Sequence, residues 1–180
     1  MMVDNASQNS NIGNSSLFFS SAAIITHNCR ALSNSTKTFF LGKLPVPLKE
    51  ADVLLLQETG RLANPETLFF PHLSLASFSI DEHNAYSSIG VYFNHNRVSL
   101  LSSEVILQGR ASFHTIKKKN DGTIFAVFNI YGPPASTGEA IQALANLLHD
   151  IKMQMQIFKD FYPLSCVYLA GDFNCNTVNE

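Results

Sequence analysis

Charge is scarce in this sequence. Asp, Glu, Lys and Arg make up 14% of its 180 residues, against roughly 25% in an average protein. The shortfall leaves room for Asn, Ser and Thr. The formal net charge is -2 and the pI about 6.3. That balance excludes a strongly basic, histone-like nucleic-acid binder. It does not exclude a nuclease, whose carboxylate-bearing metal site offsets local positive charge. Cysteine is also sparse. Cys29, Cys166 and Cys175 are an odd count without CxxC spacing, which argues against a zinc site. They read as buried thiols in a reducing, intracellular compartment. No apolar run approaches the ~20 residues of a membrane span. The run from Leu17 to Ile25 is broken by Ser20 and Ser21 and follows no basic stretch, so neither a signal peptide nor a membrane anchor is expected. There is no internal repeat.

What is present fits one α/β domain. The length suits a single domain with a sizeable core, and 46% of residues are hydrophobic. Residues 1–16 are rich in Asn and Ser and bury too little to offset the entropy of ordering, so a disordered tail is expected there. The domain proper is expected over 17–180. Strand-like segments follow at Ala22–Thr26, Ala51–Gln57, Ser87–Phe93, Ser112–Lys118, Thr123–Tyr131 and Cys166–Ala170. The second is a continuous apolar run, as in a strand buried on both faces. Asn120-Asp121-Gly122 between the fourth and fifth signals a hairpin. A short helix is expected within Ser33–Leu44, ended by Pro45 and Pro47. A long amphipathic helix is expected after a capping box of Ser136 and Glu139. Its apolar face is Ile141, Leu144, Leu148, Ile151, Met155 and Phe158.

The strand ends carry the chemistry. The first strand runs into His27-Asn28, the second into Gln57-Glu58-Thr59. The fifth ends in Asn129-Ile130-Tyr131-Gly132-Pro133 and the last in Gly171-Asp172-Phe173-Asn174. Loops at the C-terminal edge of α/β sheets converge into ligand sites. Glu58 and Asp172 offer hard oxygens suited to Mg²⁺. Asn28, Asn174 and Tyr131 are neutral groups able to bond phosphate oxygens without adding negative charge. A metal and neutral donors around a phosphodiester stabilise its transfer to water. Each residue alone also reads as a solvated strand end or turn cap. Likewise Lys117-Lys118-Lys119 reads either as a DNA-phosphate contact or as a solvated turn. His27 is expected on the face opposite Asn28. His72, His83, His95 and His114 are expected in loops or near strand ends, and His149 in the long helix.

Four segments, in order, resemble the endonuclease/exonuclease/phosphatase superfamily. Ile25-Thr26-His27-Asn28-Cys29-Arg30-Ala31-Leu32 is similar to its TWNVRGL opening, and Asp52–Thr59 to its DIIxLQET segment. Gly109-Arg110 with Asn129–Pro133 resembles GR…NVYAP, and Leu169–Asn174 resembles LxGDFN. One such motif is weak; four in register are specific. The resemblance covers roughly residues 20–176. It implies a two-sheet α/β sandwich with helices outside, and Mg²⁺-dependent phosphodiester hydrolysis, with Mn²⁺ as a substitute. It implies that Glu58 with Asn28 holds the metal, that Tyr131 and Asn174 contact phosphate, and that Asp172 orients or deprotonates the attacking water. The expected nick carries a 3′-hydroxyl and a 5′-phosphate.

The flanks are most similar to the DNA-nicking branch, which holds AP endonucleases and the endonuclease domains of non-LTR retrotransposons. That implies DNA as partner, a nuclear location and a reverse transcriptase in the full-length polypeptide. Three departures stand out. His27 replaces a common Trp, and Ala31 replaces Gly. Family domains also run on for a further ~60 to 80 residues, within ordinary domain sizes, to a Ser-Asp-His motif. The sequence is thus expected to be the N-terminal two-thirds of a domain, C-terminally incomplete, and weak or inactive as it stands. Two alternatives are a phosphomonoesterase or RNA deadenylase of the same superfamily and a non-catalytic nucleic-acid-binding module.

Overall fold

The computed structural model describes residues 22–30, 50–60, 72–84, 87–134 and 137–174. The expected tail over residues 1–16, the short helix within Ser33–Leu44, Ser136 and Cys175 lie outside them. Among the described residues, eight strands form two four-stranded mixed sheets. The first sheet has the order β1–β2–β4–β3, from β1 (Ile24–Asn28), β2 (Val53–Gln57), β4 (Ser88–Asn94) and β3 (Leu73–Ile80). The second runs β5–β6–β7–β8, from β5 (Val98–Leu107), β6 (Ala111–Lys118), β7 (Ile124–Tyr131) and β8 (Cys166–Asp172). One helix, α1 (Gly138–Phe161), connects β7 to β8. This is the expected two-sheet α/β sandwich. No helix among the described residues is long and apolar enough to cross a membrane.

Burial explains the layers. All five residues of β2 are buried, as its unbroken apolar run requires. Val53, Leu55, Val91, Val98, Ile116, Phe125 and Val127 form a core shared by strands of both sheets. On the outer side of the second sheet, Phe113, Phe128 and Ile130 pack with Leu147, Ile151 and Phe158 of α1. The rings of Phe113 and Phe128 lie 4.9 Å apart, and Phe113 meets Phe158 edge-on at 6.1 Å.

Several expectations needed correction. The buried stripe of α1 is Leu147, Ile151 and Phe158, whereas Ile141 and Leu148 are 61% and 42% exposed. Ile151, Met155 and Phe158 of the expected face do pack against the second sheet, and Leu147 takes the inward place expected of Leu148. Its N-cap is Thr137, whose Oγ1 accepts from the Ala140 amide at 3.2 Å, not Ser136. β3 and β5 were not anticipated. β3 alternates serines with apolar residues, and bulges shift the pairing of both strands, which breaks the period-two signal. His114 is fully buried mid-strand in β6 rather than near a strand end.

The arrangement places one end of the sandwich for chemistry. β1 pairs with β2 in parallel and β7 with β8 in parallel. The register sets Asn28 opposite Gln57, and Tyr131 opposite Asp172. The ladders continue one step further through Cys29 N to Gln57 O at 2.8 Å and Gly132 N to Asp172 O at 2.7 Å.

Candidate active site

Four strand ends meet around one amide. Asn28 Nδ2 donates to Glu58 Oε1 at 3.1 Å and to Asp172 Oδ2 at 2.7 Å. Asn28 ends β1 of the first sheet and Asp172 ends β8 of the second, so this amide ties the sheets together at the site. Tyr131 Oη donates to Glu58 Oε1 at 2.9 Å. The Asn174 amide N–H donates to Asp172 Oδ1 at 2.9 Å, and its side-chain Nδ2 to Gly132 O at 2.7 Å. All five residues singled out in the sequence therefore share one hydrogen-bonded set. Beside it opens a cavity of about 520 Å³, lined by groups at the ends of β1, β2 and β8, among them Thr26, Asn28, Gln57, Asp172 and Asn174. His27, expected on the far face of its strand, also borders this cavity. Tyr131 and Glu58 do not line it, and Tyr131 is buried.

Backbone strain is concentrated here. Glu58, Asn174 and Arg30 have φ of 51°, 49° and 49°. Left-handed backbone at a non-glycine residue is uncommon and persists where surroundings over-determine it. Asn tolerates it best; Glu58 has no such excuse. Two glycines allow the close approach of β7 to β8. A Cβ on Gly171, at φ 140°, would collide with the Ile130 carbonyl, and one on Gly132 with the Phe173 carbonyl.

Residues not singled out as site residues support the set. Gln57 Nε2 donates to Asn129 Oδ1 at 2.6 Å and to Thr26 Oγ1 at 3.1 Å. Asn129 Nδ2 in turn donates to Leu56 O at 3.0 Å and Gly90 O at 3.1 Å. Asn129 belongs to β7, and its three partners to β2 and β4, so it fastens the two sheets just behind Glu58. The signal for it was a buried amide within an apolar strand, two residues before Tyr131. Arg110 stacks 4.8 Å from the centre of the Tyr131 ring and donates through Nη1 to Gly132 O at 3.0 Å. It thereby positions both the ring and the loop that holds Asn174.

Electrostatics set the protonation states. Burial holds the Tyr131 hydroxyl above its ordinary pKa; Glu58 adds to this, while Arg110 and Asn174 oppose it. Tyr131 thus stays protonated and serves as a donor. Burial and the nearby Glu58 push the Cys29 thiol up to about 12, so it is no nucleophile at neutral pH. Burial lowers His27 from its ordinary value.

The donor set fits a hard divalent ion. Two carboxylates converge on one point, and Mg²⁺ is commonly held by one or two carboxylates with water and substrate phosphate completing its shell. Among the described residues no three His, Cys, Asp or Glu side chains cluster. Asn28 turns its amide nitrogen to the carboxylates while its Oδ1 accepts from the Arg30 amide at 3.1 Å. In this orientation the amide stands as a donor where a cation would sit.

No family model matches the chain, and no curated protein matches it. Solved structures do. The human Nocturnin catalytic domain with bound sulfate matches with a TM-score of 0.69 at 17% identity, over 87% of this chain and 65% of that one. An endonuclease/exonuclease/phosphatase family protein from Bacteroides thetaiotaomicron matches at 0.58 and 14% identity, over 85% and 63%. TDP2 from D. rerio, complexed with a single-strand DNA product, matches at 0.56 and 19% identity, over 86% and 61%. The chain thus spans less than two thirds of the length of each of these three. It shares the fold of endonuclease/exonuclease/phosphatase family proteins.

Proposed function

We propose that this chain forms the larger part of a metal-dependent phosphodiesterase domain that nicks DNA, of the AP endonuclease or retrotransposon kind. The observation that carries the reading is the Asn28 amide bonded to both Glu58 and Asp172, with the Tyr131 hydroxyl on Glu58. Shared fold raises the prior for phosphoester hydrolysis but does not choose a substrate. The neighbours span a mannosyl-6-phosphatase as well as a DNA-bound protein. DNA is favoured here by the DNA-nicking character of the flanking motifs.

Glu58, together with Asn28, would hold the ion, Mg²⁺ first and Mn²⁺ as substitute. Bound there, the ion supplies a positive charge for the phosphate oxygens. Tyr131 donates a proton-bearing hydroxyl to a phosphoryl oxygen, and Asn174 a neutral amide. Asp172 orients the attacking water and accepts its proton. Its position is fixed by Asn28 on one oxygen and by the Asn174 amide on the other.

The primary test is therefore metal binding. Mg²⁺ at millimolar concentration should raise the melting temperature of the wild-type chain and not that of Glu58→Gln. Absence of any Mg²⁺ effect on the wild type would overturn the reading. Substrate class is then separated by assay. Plasmid nicking supports the DNA reading, whereas phosphate release or poly(A) shortening favours the phosphomonoesterase or deadenylase alternative. Nucleic-acid binding untouched by EDTA, with no turnover, favours a binding module.

A further inference from the structure

Resting on the phosphodiesterase reading, we propose that Arg110 is a positioning residue that holds Tyr131 and Asn174 as one phosphate-binding pair. The turn between β5 and β6 is the rigid arm that carries it. Arg110 itself lies outside the cavity lining, so it acts through these two neighbours.

The arm is pinned before it reaches the site. Arg110 N donates to Leu107 O at 2.9 Å and closes a four-residue turn. Gly109, within that turn, is buried and has φ 67°. Its amide donates to Ser79 Oγ at 2.7 Å, and that hydroxyl donates to Gln108 Oε1 at 2.8 Å. Ser79 belongs to β3 of the first sheet, so a bond across the sandwich fixes the turn. A Cβ at Gly109 would collide with the Ser87 carbonyl. Both the backbone conformation and the available space therefore require glycine there, and Arg110 leaves a backbone with little freedom.

Arg110 grips the end of β7 at three points. Its carbonyl accepts from Tyr131 N at 2.7 Å. Its guanidinium lies over the face of the Tyr131 ring, 4.8 Å from the centroid. Its Nη1 donates to Gly132 O at 3.0 Å. The same Gly132 O accepts from Asn174 Nδ2 at 2.7 Å. A carbonyl oxygen has two lone pairs, and here each serves one donor. The Tyr131 ring and the Asn174 amide thus take their places from one guanidinium and the carbonyl it holds. Glu58 fixes only the hydroxyl end of the tyrosine, at 2.9 Å. Without Arg110 the ring loses the cation on its face, and Asn174 hangs from a carbonyl with one restraint fewer. A displacement of about 1 Å at a substrate-positioning group can cost about a hundredfold in rate.

The test compares ¹⁵N-labelled wild type, Arg110→Met and Arg110→Lys by the Asn174 side-chain amide resonances and the Tyr131 ring protons. Arg110→Met keeps the apolar stem and removes the charge and the donor. Both sets of resonances should move. In millimolar Mg²⁺, its affinity for inorganic phosphate should fall about tenfold, while the rise in melting temperature on adding Mg²⁺ stays as in wild type. Arg110→Lys keeps a cation but not the planar stack, so it should recover part of the phosphate affinity. Unmoved Asn174 and Tyr131 resonances, or wild-type phosphate affinity in Arg110→Met, would overturn the proposal. If Arg110→Met loses its dispersed spectrum, the same criteria apply to Arg110→Lys. If the wild type itself binds neither Mg²⁺ nor phosphate, the phosphodiesterase reading fails separately, and the Asn174 and Tyr131 resonances alone decide whether Arg110 holds the pair.

Discussion

Removing the Asn129 side chain should be among the costliest single changes in this protein. The residue is fully buried and makes three hydrogen bonds, to Leu56 O, Gly90 O and Gln57 Nε2. Asn129→Ala deletes all three. Gln57 keeps its bond to Thr26, so it is not wholly orphaned. The two carbonyls each lose a partner in a buried position. An unsatisfied buried group costs about 1–3 kcal/mol, so the pair suggests a loss of roughly 2–6 kcal/mol. That is a large share of a typical 5–15 kcal/mol total. Asn129→Asp should be worse still, because it sets a carboxylate oxygen against two carbonyl oxygens. Urea denaturation followed by circular dichroism measures both, with the slope checked for constancy. A loss below about 1 kcal/mol for Asn129→Ala, or an Asp variant milder than the Ala one, would refute the view that this amide joins the sheets.

Other consequences are equally specific. Burial lowers His114 to about 4, so the folded protein keeps it neutral while the unfolded chain protonates near 6.5. Its contribution to stability is complete above pH 6.5 and is lost as pH falls from there to 4, by about 2 kcal/mol at pH 5. Comparing wild type with His114→Asn in urea at pH 7 and pH 5 isolates the effect; equal losses in both proteins would contradict it. The rotation of α1 is tested by paired truncations. Leu147→Ala should cost about 2–4 kcal/mol, and Leu148→Ala under about 0.5 kcal/mol, whereas the sequence-based face implies the reverse order. Tyr131 should ionise above its ordinary range, so alkaline difference absorbance between wild type and Tyr131→Phe should show its titration displaced upward. A normal midpoint would mean that Glu58 and burial do not act on it as described.

The parts legible in the sequence were those that depend on neighbours along the chain. The apolar run of β2 announced a strand buried on both faces. Asn120-Asp121-Gly122 announced the hairpin between β6 and β7. The polar residues at strand ends announced one hydrogen-bonded cluster, because parallel strands deliver their C-terminal ends to one edge. What escaped depends on partners far away in sequence. β5 is an edge strand whose two bulges reset the alternation, so no single period describes it. The bonds of Asn129 cross 72, 73 and 39 positions, and nothing local marks an amide as a link between sheets. The face of α1 is legible only in part, because Ile141 and Leu148 are apolar yet exposed while Ile151 and Phe158 are buried. The lysine run concealed one member, Lys118, that folds inward, since an inward lysine is legible only once Asp52 is known to sit across from it.

The same long-range character governs the site itself. Asn28 and Asp172 are 144 positions apart, and they meet only when both parallel pairs have formed and both sheets have stacked. No sub-structure containing one sheet has the pair of carboxylates. Glu58 at φ 51° adds a second condition, because a left-handed glutamate needs restraint from several sides to persist. Tyr131 restrains its carboxylate, Asn28 shares it, and the Gln57–Asn129 link fixes the residue before it. A ligand that binds this arrangement binds only the folded chain, so its affinity adds directly to stability. Any binding at Glu58, the stacking of the sheets and the strained backbone at Glu58 would therefore be one coupled equilibrium. Weakening the joint at Asn129 should lower the apparent affinity at Glu58 even though Asn129 touches no part of the open cavity.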